Sequence, residues 1–189
     1  MKKVIISSVP GYEEWRLASR ECLAHSIPPE NVVWQNAQWN QTDLFGETEK
    51  ASIFGNPRAN YTIPKSVLVL MKYALCHQDP DRFALCYRVL WRVVFENRNL
   101  IHLKTDEDIL RINALAKAVK RDAYKMSAFL RFREIDFDGQ EHFIAWYEPE
   151  HFSLEIKLDF FQTRFKNMRW SILTPYRAAH WDTKTLALE

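Results

Sequence analysis

The chain has 189 residues, a net charge of +2 and only four glycines. That length suits one domain with a proper core, and so even a charge balance names no partner by itself. The sequence contains no GxxxxGK[ST] and no GxGxxG run, which excludes nucleotide-cradling loops of those kinds, and no stretch approaches the roughly 20 apolar residues of a membrane span.

Three cysteines, Cys22, Cys76 and Cys86, stand without CxxC spacing. An odd, sparse set fits buried free thiols in a reducing, cytoplasmic compartment. The opening MKKVIISSVPGYEEW has an apolar run too brief for a signal peptide.

Residues 3–8 read as a strand broken by Pro10-Gly11, and 11–26 as a helix with Trp15, Ala18 and Cys22 at helical spacing. Residues 31–34 read as a second strand, giving a small strand–helix–strand opening. Residues 36–62 are polar and aperiodic, so they are expected to form a long loop. This divides the chain into an N-terminal unit, 1–62, and a core, 63–189, unless the whole is one domain, 1–189.

Pro64 suits the first turn of a helix over 64–77. Asp79-Pro80 starts another to about Glu96, with Phe83, Cys86, Leu90 and Val94 on one side. Thr105 and Asp108 resemble a capping box ahead of a long helix, 106–128. From Phe129 the period changes to two, Asp138-Gly139 signals a turn, and 142–148 returns as a partner strand. Residues 158–166 read as helix and 169–174 as a third strand closed by Pro175. The expected fold class is α+β: the small opening unit, a helical middle, and a C-terminal antiparallel sheet with a covering helix. Trp15, Trp91, Phe132, Trp146 and Trp170 are expected in the core.

Several stretches carry a resemblance. They are LAKAVKRDAYKMSAFLRFRE (115–134), FIAWYEPEH (143–151), FFQTRFKNMRWSILTP (160–175) and AHWD (179–182), with DPDRFALCYRVLWR (79–92) upstream. Together they resemble an uncharacterised bacterial domain found fused ahead of uracil-DNA-glycosylase-like domains. The same family also stands alone as a probable DNA metabolism protein, encoded beside a putative DNA-repair radical-SAM protein. The resemblance implies an association with DNA metabolism and implies no reaction. Two departures matter: members usually carry Gly after the Trp-Asp pair, where this chain has Thr183, and many continue well past that point. The chain is therefore expected to be a partial functional unit.

Between Arg111 and Arg133 seven cations face one anion, Asp122. At about 100° per residue, Ile112, Ala116, Val119, Ala123, Met126 and Leu130 form one stripe, with Lys117, Lys120, Arg121, Tyr124 and Lys125 opposite. Such a ridge attracts phosphate backbones through counterion release, although a merely solvated face has the same pattern. Strand alternation puts Arg131 and Arg133 on one side, and Arg169 alternates with Trp170. If these strands share a sheet, the three arginines can line a face where Trp146, Tyr147 or Trp170 stack on unpaired bases; the alternative is that the rings are core.

Glu148, Glu150 and His151, with His180 and Asp182, are the candidates for proton transfer, yet their spacing matches no metal motif, and neither metal nor cofactor is expected. The leading expectation is an accessory module for DNA repair or modification that grips DNA, including single-stranded DNA, through the basic helix. Its partners would be a radical-SAM or uracil-DNA-glycosylase-like protein, with no membrane. The alternatives are an enzyme acting on a damaged base or nucleotide, marked by a pocket joining the two histidines, and a protein-interaction module, marked by a broad apolar patch.

Overall fold

The structure, a computed structural model, describes residues 1–37, 61–137 and 139–189. It has mixed α and β composition and falls into two compact units, Met1–Ala116 and Lys117–Glu189. Most of the expected loop 36–62, and the turn residue Asp138, lie outside the described residues.

In the first unit, β1 (Lys2–Ile6), α1 (Tyr12–Ala24) and β2 (Val32–Asn36) form the expected strand–helix–strand opening, with the strands parallel. Gly11 sits at φ +83°, and a Cβ there would lie 2.3 Å from Ile6, so the turn into α1 requires glycine. Glu14 then anchors the preceding chain, accepting hydrogen bonds from the amide of Ser7 at 2.6 Å and that of Ser8 at 3.0 Å.

Helix α2 (Lys65–Leu75) follows Pro64, and α3 (Arg82–Phe95) follows a turn in which Asp79 Oδ1 accepts the amide of Asp81 at 2.8 Å. Trp15, Val67, Met71, Phe83, Cys86 and Leu90 are packed in the core of this unit. All three cysteines are buried and free.

Helix α4 (Glu107–Phe129) contributes residues to both units. Its start corrects the expected capping box. Asp106, not Thr105, caps the helix, its Oδ1 accepting the Ile109 amide at 3.2 Å. The Asp108 carboxylate is engaged by Arg88 Nη2 at 2.7 Å and Arg92 Nη1 at 3.0 Å, so it does not reach back to the cap.

The second unit holds β3 (Arg133–Phe137), β4 (Gln140–Trp146), α5 (Leu154–Arg164), β5 (Trp170–Leu173), β6 (Ala178–Trp181) and β7 (Leu186–Leu188). The five strands run β3-β4-β5-β6-β7 in one sheet, antiparallel except for the parallel β4–β5 pair that α5 connects. A crossover helix is what parallel neighbours need.

Three local expectations change. The first strand begins at Arg133 rather than Leu130, because the Leu130 amide still donates to Met126 O at 3.0 Å and extends the helix end. Helix α5 starts four residues earlier than expected. Strands β6 and β7 follow Pro175, where the sequence shows few β-branched residues; Thr174 makes the turn, its hydroxyl donating to Arg177 O at 2.6 Å and accepting the Arg177 amide at 3.1 Å.

One face of the sheet is the core. Ala145, Trp170, Ile172 and Ala179 pack there with Met126 and Leu130 and with Leu154, Leu158 and Phe161 of α5. Among the described residues the other face carries no helix of this unit. Trp15 and Trp170 are buried as expected, while Trp91 and Phe132 are half-buried. Trp146 overturns its expectation: it is 56% exposed, because strand parity sends it to the open face.

Candidate nucleic-acid interface

Within the second unit, α4 turns Val119, Ala123 and Met126 inward and leaves Lys117, Lys120, Arg121, Tyr124 and Lys125 exposed. The helical spacing therefore produces the ridge expected from it. Lys117, Arg121 and Lys125 make no ion pair with any described residue. The one anion of this stretch, Asp122, is 3% exposed and points inward. It accepts hydrogen bonds from the amides of Glu150 at 3.1 Å and His151 at 3.0 Å, and from the Ser153 hydroxyl at 2.8 Å. Burial and these three donors keep its charge off the ridge. Arg111, counted among the cations of the sequence, belongs to the first unit and pairs with Asp79 at 3.0 Å and Asp81 at 3.1 Å.

The three arginines expected on one strand face are only partly brought together. Arg131 is not in a strand; its guanidinium donates to Ala128 O at 2.8 Å and Leu130 O at 3.0 Å, capping the end of α4. Arg133 pairs across with Ile144, which pairs with Ser171, so all three lie on the open face. Arg169, two residues before Ser171, shares that face and hydrogen-bonds Gln140. Phe137, 64% exposed, and Trp146 add two aromatic rings to the same side. Trp170 belongs to the core face, as does Tyr147 by parity. Because the end of α4 packs on the core face, its ridge and the arginine face look out on opposite sides of this unit.

The proton-transfer candidates are separated too. His151 is 7% exposed on the helix side of the sheet, beside Asp122. Burial pushes its imidazole below the usual histidine range, with Asp122 and Glu150 opposing and Arg121 and Lys125 adding to the effect. His180 lies on the open face. The sheet therefore stands between the two histidines among the described residues. Glu148 is exposed and accepts the Trp146 indole N–H at 2.9 Å. Glu150 is exposed and gives its amide to Asp122. Asp182 shapes the β6–β7 turn: the Thr185 hydroxyl at 2.7 Å, with the amides of Thr185 and Lys184, holds its carboxyl down at about 2.

Sequence reasoning missed His142 and Ser171. His142 Nε2 lies 2.8 Å from Ser171 Oγ, and the same oxygen lies 2.7 Å from His180 Nδ1. His180 Nε2 is 3.7 Å from Glu189 Oε2. The available signal was alternation: His142 and Ser171 are polar residues one step from Phe143, Trp170 and Ile172. Burial, then His180 and Arg169, push the His142 imidazole down. Another missed group is Glu155, whose carboxyl is pushed up by burial even with Arg177 Nη1 at 3.2 Å and the Tyr176 hydroxyl donating to it at 3.2 Å. Among the described residues no cluster of three or more His, Cys, Asp or Glu is placed to hold a metal.

A family model described as a domain of unknown function, DUF4130, matches residues 80–186, more than half of the chain. The chain belongs to that family. The DUF4130 match runs from the turn before α3 to the first residue of β7 and so spans the ridge and strands β3 to β6. No curated protein and no solved structure matches the chain. No helix among the described residues is long and apolar enough to cross a membrane.

Proposed function

We propose that this chain is a nucleic-acid-associated accessory module, acting in DNA repair or modification, that grips the phosphate backbone through the cationic ridge of α4. The observation that carries the reading is the inward burial of Asp122 beneath Lys117, Arg121 and Lys125. A solvated helix face commonly mixes signs; here the only carboxylate in the stretch is turned away from solvent, and three cations are left without protein partners among the described residues. Phosphates are the anions such a row suits, since each contact releases condensed counterions.

The repair context rests on the resemblance of 79–92, 115–134, 143–151, 160–175 and 179–182 to domains found with uracil-DNA-glycosylase-like and radical-SAM proteins. A protein of either kind is the proposed functional partner. Separation of His151 from His180 by the sheet favours the accessory reading over an enzyme built on that pair. Backbone contacts carry no base information. The test is binding of unrelated duplex and single-stranded sequences by the full chain, followed by fluorescence anisotropy. Affinities within a few-fold across sequences support the reading; absence of binding to every nucleic acid refutes it.

A further inference from the structure

The open face of the second unit's sheet carries a row of hydrogen-bonding side chains, His142, Ser171 and His180. Serine has one hydroxyl proton, so Ser171 donates to one imidazole and accepts from the other. The Glu189 carboxylate near His180 Nε2 favours a proton on that nitrogen. His180 Nδ1 then accepts from Ser171, and Ser171 accepts from His142 Nε2–H. His142 Nδ1 is left as a lone pair with no hydrogen-bond partner among the described residues. It can therefore take a proton without breaking any bond of the row.

The surroundings of that nitrogen suit an anion with rings attached. Arg133 is exposed on β3 and makes no ion pair with a described residue, and Arg169 stands before β5 on the same face. The Phe137 ring centroid is 6.2 Å from that of His142, and Trp146 is exposed further along β4. The groups facing His142 are thus Arg133 and Phe137 from β3, Gln140 on its own strand, Arg169 and Ser171 from the β5 side, and His180 from β6. Asp182 stands across from Arg169 at the end of the β5–β6 pair, and Glu189 is the anion at the far edge. Without a ligand, burial, then the His180 imidazole and Arg169, oppose a charge on His142. A bound phosphate reverses that balance.

The geometry points to a phosphodiester site for single-stranded nucleic acid on this face, in which His142 takes up a proton as the phosphate docks with Arg133 and Arg169 and unpaired bases stack on Phe137 and Trp146. This deepens the accessory-module reading and rests on it. It assigns a second surface, on the side of the unit away from the ridge.

The experiment is a histidine NMR titration of the full chain, with and without hexathymidylate, beside anisotropy binding of the same oligonucleotide from about pH 5.5 to 8. Saturation should move the His142 midpoint up by about one pH unit, which by linkage makes binding about tenfold tighter at the acid end. His142→Gln should flatten the dependence of affinity on pH, a readout that needs only a folded variant. If the oligonucleotide binds while the His142 midpoint stays fixed, the open-face site is wrong and the ridge reading stands. If hexathymidylate and duplex both fail to bind at any pH, the accessory-module reading fails, and this inference with it.

Discussion

The Asp122 carboxylate accepts the Ser153 hydroxyl at 2.8 Å, tying the middle of α4 to the entry of α5. Ser153 is fully buried, and the amides of Glu150 and His151 converge on the same carboxylate. The contact explains why α5 starts at Leu154 and why the EPEH turn is ordered. Asp122→Ala should leave three buried or half-buried donors unsatisfied and cost roughly 2–4 kcal/mol. Asp122→Asn keeps one accepting oxygen and should cost less. Urea unfolding of both variants checks the order; equal stability of parent and Asp122→Ala would remove the anchor from the account.

Stability should fall with mild acid. Burial holds His142 and His151 below the ordinary histidine value of about 6.5, so the unfolded chain binds protons first. Their contribution is complete above that value and is lost as pH falls toward the folded values, before carboxylates such as Asp79 and Asp106, held below their usual range, begin to protonate. Thermal melts between about pH 7.5 and 5 measure this, and His151→Gln should flatten the curve.

Trp146 and Trp170 should behave oppositely. Trp170→Ala opens the core and should cost about 3–5 kcal/mol. Trp146→Ala should change stability by less than about 1 kcal/mol and weaken single-strand binding by roughly 1–3 kcal/mol through lost stacking. A large stability loss in Trp146→Ala, with binding intact, would make the ring structural.

Thr183 sits at φ +81°, in the left-handed region that favours glycine. Thr183→Gly should remove strain that exceeds glycine's extra unfolded-state entropy, for a gain of up to about 1 kcal/mol. A lower melting temperature would show that the Thr183 side chain supports the turn.

Periodicity made much of this molecule legible. The α4 stripe, the hairpin of β3 and β4 and the βαβ opening follow from local spacing of apolar residues. Strands β6 and β7 do not, since Ala178–Trp181 and Leu186–Leu188 are short and owe their pairing to the Thr174 and Asp182 turns. The His142–Ser171–His180 row was hidden for a different reason: β4 meets β5 only through the α5 crossover, so residues 29 apart in sequence become hydrogen-bonded neighbours. Exposure of Trp146 needed strand parity, which the hydrophobicity of tryptophan masked. The inward turn of Asp122 needed its three donors, which come from a loop about thirty residues downstream.

The central claim is that Lys117, Arg121 and Lys125 neutralise phosphates, and the salt dependence of DNA binding tests it most directly. Anisotropy across a salt series should compare the parent with a Lys117/Arg121/Lys125→Glu triple variant whose circular dichroism shows a native fold. The slope of log K against log salt should become shallower by about 3, roughly one for each lost phosphate contact. A folded variant that binds DNA with the parent's affinity and the parent's slope would contradict the account.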